Sequence, residues 1–286
     1  MKKNKYFMII FFISILISTS GCGTGTQINE TKEDVQEEII PEKVYQDQEA
    51  KLIISNALED VQTARRTLEL IKNDQNSFLA KASSIESKID IPNLRGDFTF
   101  TDINNMAGYI DIMEKNINGL SKSTQYYDSA IKYFNDVEKM DISPGYKAYV
   151  SKYHEAIIKE KNGVFHYQTA MNNKIKLFYA KTYIAFYILY MNVSNYYYGI
   201  SASYYGNNEE ILNNAIYNRN KAYDSIEMAY SYVPITQLSR SAKGTEVYEG
   251  LLTWEKNFVT SSLNLYEKSF NEAKILENEA DKIINT

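Results

Sequence analysis

Tyrosine is the residue type whose number and spacing in this chain are best suited to binding. The 286-residue sequence contains 25 tyrosines. A tyrosine ring offers a large rigid apolar face with a polar tip, which is why tyrosine is enriched at binding surfaces. Five of the tyrosines lie three, four or seven residues apart and therefore share one face of a predicted helix: Tyr183, Tyr187, Tyr190, Tyr197 and Tyr204.

Two interpretations of these tyrosines are open. In the one we favour, the rings pack between helices and their hydroxyls reach water at the end of the bundle. In the other, residues 194–205 form a ligand or partner site. Its contact residues would be the tyrosines crowded at this end of the helix: Tyr196, Tyr197, Tyr198, Tyr204 and Tyr205.

The histidines and acidic residues do not form a catalytic or metal-binding pattern. Neither His154 nor His166 follows a glutamate by three residues, as di-iron carboxylate bundles require. We predict that both histidines are surface or boundary residues. The sequence also lacks a phosphate-binding loop, a nucleophile elbow and a dinucleotide fingerprint. We therefore expect no catalytic residue, no metal, no cofactor and no enzymatic activity.

The first 21 residues have the pattern of a secretory signal peptide. Lys2, Lys3 and Lys5 give a positive start, residues 6–17 form an apolar run, and residues 18–21 are small. The apolar run is shorter than the roughly 20 residues that a transmembrane helix needs. The sequence therefore predicts that residues 1–21 are a cleaved signal peptide and that the chain is exported.

Thr19-Ser20-Gly21-Cys22 resembles the lipobox of prokaryotic membrane lipoproteins. In that class the cysteine sulfur receives a diacylglyceryl group, with acyl chains such as palmitate, and the cysteine becomes the mature N-terminus. The resemblance implies that Cys22 is the lipid attachment site and anchors the protein on the extracytoplasmic side of the cell membrane. Thr19 departs from the pattern, which usually has Leu, Val or Ile there. The alternative is an ordinary cleavable signal that leaves a free thiol at Cys22.

The charge balance excludes nucleic acid as a partner. The chain has 31 basic and 36 acidic residues, and loss of the three leader lysines leaves 28 basic residues and a net charge of −8. Such a surface cannot neutralise phosphates, and anionic lipid headgroups repel it. After Cys22, residues up to 42 are predicted to form a flexible acidic tether spanning roughly 25 Å. The sequence thus predicts a body that stands away from the membrane.

Two long stripes of apolar residues, which we call seams, predict the first two helices of the body. In a seam the apolar residues alternate at spacings of three and four, as in a coiled coil. The first predicted helix covers residues 41–88, with only Gln75 polar in its seam: Ile54, Ala57, Val61, Ala64, Leu68, Ile71, Gln75, Phe78, Ala82, Ile85 and Ile89. The second extends from Asp102, its predicted N-cap, to near Met140: Ile103, Met106, Ile110, Met113, Ile117, Leu120, Thr124, Tyr127, Ile131 and Phe134.

The third predicted helix begins at Ser143-Pro144 and is expected to be the central member of the bundle. Residues 177–193 are apolar on nearly every side, which is typical of a helix buried all round. Asn162-Gly163 is its expected kink, because glycine weakens a helix interior by about 1 kcal/mol.

Two more helices complete the predicted architecture. The fourth covers residues 208–233, with the seam Leu212, Ala215, Arg219, Ala222, Ile226, Ala229 and Val233. The fifth covers residues 245–284, with Val247, Leu251, Trp254, Phe258, Leu265, Ile283 and Ile284. We therefore predict an all-α fold, an elongated bundle of about five helices in which residues 43–286 form one domain. A helical-repeat array is the minority alternative, because no period near 34 residues recurs.

These features favour a membrane-anchored, exported lipoprotein that serves as a non-enzymatic interaction or scaffold protein. Its partners would be the membrane, through the lipid anchor, and another protein of the cell envelope. The alternative is a ligand-binding lipoprotein that uses the Tyr-rich end of the third helix. A wall-associated hydrolase that uses carboxylates is a third possibility, but the sequence spacing assembles no acidic pair for it.

Overall fold

A computed structural model describes residues 45–203, 209–234 and 243–285 of the protein. The predicted signal peptide, Cys22 and the tether lie outside these residues. The described elements are α1 (Asp47–Glu86), β1 (Ile89–Asp90), β2 (Arg95–Gly96), α2 (Phe100–Asn118), α3 (Leu120–Val137), α4 (Pro144–Ser203), α5 (Glu209–Tyr232), α6 (Gly244–Trp254), a π-helical segment (Glu255–Thr260) and α7 (Ser261–Asn285). The predicted all-α bundle is confirmed, and two of its five predicted helices are each interrupted once.

Helix α1 buries the first seam, most completely in its N-terminal half. The seam residues from Ile54 to Leu68 are buried, whereas Ile71 and Phe78 further along are half-buried. Gln75, the polar member, is only 1% exposed, and its Nε2 donates to the carbonyl oxygen of Met113 at 2.6 Å. The hydrogen bond ties α1 to α2 and offsets part of the cost of burying the amide, whose Oε1 atom has no hydrogen-bond partner among the described residues.

The second predicted helix begins and continues differently from the prediction. Thr99, not Asp102, is the N-cap: the Thr99 hydroxyl accepts from the Asp102 N–H, and the Asp102 carboxylate accepts from the Thr99 N–H, a capping box. At Gly119 the backbone switches to tighter bonds between residues three apart, which ends α2 and starts α3. Beyond this break Ser123 and Ala130 are buried in place of the predicted Thr124 and Ile131.

Helix α4 begins at Pro144 as predicted and continues through Gly163 without interruption of its helical hydrogen bonding. Its 60 residues correspond to about 90 Å of helix. Gly163, predicted as a kink, has another role: a Cβ atom there would lie 2.6 Å from the ring of Phe270. The glycine allows α7 to pack closely against α4.

Helix α5 matches its predicted range but buries a narrower stripe than predicted. Ala215, Ala222, Ser225 and Ala229 are its buried residues, all of them small. Leu212 and Arg219 of the predicted seam are exposed. Because α5 packs mainly against α4, small residues suffice to bring the two backbones close together and the larger ones remain outside.

The π-helical segment explains where the predicted fifth helix was wrong. Val247 and Leu251 are buried as predicted, but beyond the segment the buried face changes. Phe258 is 45% exposed, whereas its neighbour Val259 is 2% exposed. A π-helical turn holds more residues than an α-turn, so it displaces every later position relative to a continuous α-helical pattern.

The core consists of two clusters joined along α4. One contains residues of α1, α2, α3, the first part of α4, and α7; the other contains residues 177–188 of α4 with α5, α6 and the neighbours of the β1–β2 hairpin. The buried residues of this apolar stretch of α4 pack against other helices, so the stretch lies centrally in the bundle. It is not buried all round as predicted, because Tyr183, Phe186 and Tyr190 are only half-buried. No helix within the described ranges is long and apolar enough to cross a membrane.

Asp47 joins the start of α1 to the start of α4. Its carboxylate accepts from the Ser143 N–H at 2.8 Å and from the Ser143 hydroxyl at 2.6 Å. The hydroxyl hydrogen bond from Ser143 is the largest cause that lowers the pKa of Asp47 below its usual value of 3.8. A lowered carboxyl pKa stabilises the fold above the unfolded-state pKa, and this contribution is lost as the pH falls through the folded-state pKa.

We expect Asp47→Asn to cost about 1 kcal/mol of unfolding free energy at pH 7 and less at pH 3, which lies below the usual carboxyl pKa of 3.8, so that protonation of the unfolded parent already reduces this contribution. Urea unfolding at both pH values measures the difference. Asp74→Asn, at an exposed carboxylate of the same helix, is the matched control and should have no such pH-dependent effect. An equal loss at pH 7 and pH 3 for Asp47→Asn would contradict the prediction.

Candidate functional site

An open cleft with an aromatic wall lies between helices α4 and α5. Its volume is about 240 Å³. Tyr183, Phe186 and Tyr190 form the α4 wall, because spacings of three and four residues place side chains on one helix face. The ring centroids of Phe186 and Tyr190 are 6.2 Å apart and their planes are inclined by 27°, so the two rings are close to parallel; we call this pair the aromatic platform. All three side chains are half-buried, so part of each ring remains accessible.

Phe100, the first residue of α2, lies against the same aromatic wall. Its ring centroid is 5.1 Å from that of Tyr190 and 6.3 Å from that of Phe186, and the residue is 37% exposed. The capping box between Thr99 and Asp102 fixes the start of α2 and therefore the position from which Phe100 projects. The local sequence at the helix start thus helps to hold the aromatic platform.

Helix α5 supplies a polar wall that faces the aromatic one. It consists of Lys221, Asp224, Ser225 and Met228. The Ser225 hydroxyl donates to the carbonyl oxygen of Lys221 at 2.8 Å, so its oxygen lone pairs remain available as acceptors. The Lys221 ammonium lies 5.8 Å from the ring centroid of Tyr217. Helix α5 therefore contributes one cation, one anion and one hydroxyl to the cleft, with no net charge.

The tyrosines on either side of the cleft pack between helices. The Tyr179 hydroxyl donates to Asp111 at 2.6 Å and its ring stacks on Tyr232 at 4.8 Å. Burial, then the hydrogen bond to Asp111, raises the pKa of Tyr179. Burial likewise raises the pKa of Tyr187 and of Tyr230. Of Tyr179, Tyr187 and Tyr230, only Tyr187 belongs to the sequence pattern, and it is half-buried against the core; the Tyr179 hydroxyl bonds to a carboxylate instead of reaching water.

Three of the tyrosines predicted as contact residues, Tyr196, Tyr197 and Tyr198, lie further along α4 than the cleft and do not line it. Tyr196 is 66% exposed, and its ring centroid is 5.7 Å from that of Tyr197. Tyr197 and Tyr198 are half-buried. The other two predicted contact residues, Tyr204 and Tyr205, lie outside the described residues.

The sequence pattern indicated part of the cleft, but a search for tyrosines alone missed one of its aromatic residues. Tyr183 and Tyr190 belonged to the seven-residue pattern, but Phe186 completes the accessible face and is not a tyrosine. The polar wall could not be inferred, because its pairing with α4 depends on how α5 folds back along that helix.

A buried polar network joins α1, α3, α4 and α7. The guanidinium of Arg65 donates to both carboxylate oxygens of Glu160, at 2.6–3.1 Å, and to Glu277. The Tyr127 hydroxyl donates to Glu160 at 2.9 Å. Burial raises the pKa of Glu277, and the charge of Arg65 offsets this only in part. Because each charged group has a partner within the network, its evident role is to hold the four helices together.

A polar pocket separate from the aromatic cleft lies beside the β1–β2 hairpin. Its volume is about 350 Å³ and its lining includes Lys181, Glu86 and Tyr248. Lys181 is only 9% exposed, and its ammonium is bound to Glu86, so the two charged groups of this pocket are already paired across helices. Outside the pocket, Lys174 donates to Glu255 at 2.9 Å; burial opposes ionisation of Glu255, but this bond and the lysine charge lower its pKa.

Both histidines lie within α4 and are half-buried, at the boundary between the core and the surface, as predicted. His154 Nδ1 is 2.9 Å from Glu138 Oε1, and its ring stacks on Phe134. His166 is half-buried beside Phe165. Within the described part of the chain, no group of three or more histidine, cysteine or acidic side chains could hold a metal ion.

Comparison with known proteins does not assign the aromatic cleft. No protein-family model, no curated protein and no solved structure matches this chain.

Proposed function

We propose that this protein is an exported lipoprotein, anchored in the cell membrane through Cys22, that binds another component of the cell envelope and catalyses no reaction. The leader and the lipobox-type residues 19–22 support the anchor. Two acyl chains on one cysteine would hold the chain stably, whereas a single chain gives only marginal, reversible binding.

The observation that carries the binding role is the cleft between α4 and α5. Concave sites lined by aromatic side chains and a few polar groups are the usual form of a ligand or partner site. Tyr183, Phe186 and Tyr190 give the aromatic lining, and Lys221 and Asp224 give the polar groups. An open cleft of this kind can receive a small ligand or a side chain of a partner protein.

One experiment in intact cells tests both the membrane anchor and binding at the cleft. A photo-crosslinking amino acid replaces Met228, which is 42% exposed at the edge of the cleft. We expect the protein to fractionate with membranes and to form a discrete adduct. The same probe at Ile275, which is 57% exposed on α7, is the matched control and should form none.

Cys22→Ala is expected to abolish lipid labelling and membrane retention. Thr19→Leu, which brings the leader closer to the usual lipobox, is its control and should leave both intact. Membrane fractionation that is unchanged in Cys22→Ala would refute the anchor, and the absence of an adduct at position 228 would refute binding of a protein partner at the cleft.

A further inference from the structure

We infer that the cleft between α4 and α5 binds a neutral glycan, with a sugar ring lying on the platform of Phe186 and Tyr190. The inference rests on the proposed binding role of this cleft and names the class of its ligand. Three features of the cleft point to a sugar: the aromatic platform, the mixed polar wall and the absence of net charge.

The aromatic platform fits the apolar face of a pyranose ring. One face of many sugars presents only C–H groups, which are slightly positive, while the face of an aromatic ring is slightly negative. The rings of Phe186 and Tyr190 are inclined by only 27° to each other, so an apolar sugar face can lie against this pair. The Phe100 ring, 5.1 Å from that of Tyr190, is inclined to it by 59° and supports the pair from the side.

The polar wall fits the hydroxyl groups at the rim of the same sugar. A hydroxyl both donates and accepts hydrogen bonds, so a sugar needs partners of both kinds. Lys221 supplies an ammonium donor, whereas the Asp224 carboxylate and the Ser225 oxygen are acceptors. Charge-assisted hydrogen bonds from such groups are stronger than neutral ones.

The charges argue against the other ligand classes of an envelope. An anionic ligand would meet Asp224, and a cationic ligand would meet Lys221. A fatty acyl chain would leave the polar groups of α5 without partners, which is unfavourable in a closed contact. A neutral polyhydroxylated chain satisfies both walls, and the open form of the cleft lets a polymer pass through it.

The test measures binding of three soluble hexasaccharides, chitohexaose, cellohexaose and maltohexaose, to the full-length protein in a detergent that carries no sugar. Saturation-transfer NMR identifies the sugar protons in contact, and calorimetry gives the dissociation constant. We expect contact through sugar C–H protons for at least one of the three. Phe186→Ala should weaken that binding about tenfold, and Asp224→Asn, at an exposed side chain, should weaken it several-fold without lowering the thermal midpoint.

Matched controls separate the cleft from the rest of the surface. Tyr196→Ala removes an exposed ring of the same helix outside the cleft, and Asp74→Asn removes an exposed carboxylate of α1; neither should change binding. Binding that survives Phe186→Ala and Asp224→Asn unchanged would overturn the inference. If none of the three glycans binds but a protein adduct forms at position 228, the glycan inference is wrong and the proposed binding role stands. If no glycan binds and no adduct forms, both the glycan inference and the proposed binding role are wrong.

Discussion

Replacing Arg65 by methionine is expected to lower the free energy of unfolding by about 2–4 kcal/mol. Glu160, whose side chain is 6% exposed, would lose its bidentate partner and retain only the Tyr127 hydroxyl. Removing one member of a buried ion pair is costly because the remaining charge is left without compensation. The expected loss of unfolding free energy lies below that for a fully buried ion pair, because the side chain of Arg65 is 37% exposed and water screens its charge.

Urea unfolding followed by circular dichroism measures this loss. Methionine retains an apolar stem, so the change isolates the charge from most of the packing. Arg66→Met is the matched control, since Arg66 is the next residue of α1 and is exposed. We expect the control to change stability by less than about 0.5 kcal/mol. If Arg65→Met and Arg66→Met lower the unfolding free energy equally, the network contributes no more to stability than a surface arginine does.

Gly163→Leu is expected to destabilise the protein by about 2–3 kcal/mol. A Cβ atom at Gly163 would lie 2.6 Å from the Phe270 ring and 3.3 Å from the Ser269 side chain, so α7 would have to move away from α4. That movement would also separate Glu277 from Arg65 and weaken the buried network. We therefore expect faster amide hydrogen exchange across α7, in addition to the lower unfolding free energy.

Gly199→Leu on the same helix should stabilise the protein instead of destabilising it. Among the described residues, nothing lies within 4 Å of the position that a Cβ atom of Gly199 would occupy, so the leucine Cβ meets no such contact. Its better helix propensity should stabilise α4 by up to about 1 kcal/mol. Destabilisation by both substitutions to the same extent would mean that close packing of α7 is not the reason for glycine at position 163.

The helices themselves could be predicted from the sequence because their signals are local. Apolar residues three and four apart define a helix face whatever the partner is, and they indicated most of the burial in α1 and α2. Pro144 and Pro234 marked a helix start and a helix end in the same way, since proline lacks the N–H that a helix interior needs. Glycine was harder to interpret, because its role at Gly163 depends on a ring that lies 107 positions later in the chain.

The interruptions of the helices needed the tertiary structure. Gly119 separates α2 from α3, and the π-helical segment separates α6 from α7. In both places the apolar pattern continues across the break, so periodicity alone predicts one straight helix. Only the packing against neighbouring helices decides that Ser123 and Val259 are buried in place of Thr124 and Phe258.

The sequence by itself determined the helical architecture, the acidic charge and the prediction of a lipid anchor at Cys22, because composition, periodicity and the leader pattern are properties of neighbouring residues. Only the tertiary structure decided which side chains meet. Arg65 and Glu160 are 95 residues apart, and Arg65 and Glu277 are 212 apart. The cleft likewise forms where two helices pack, so its aromatic and polar walls share no local pattern. Contacts of this kind depend on how the helices fold back on one another, and a linear spacing does not record that.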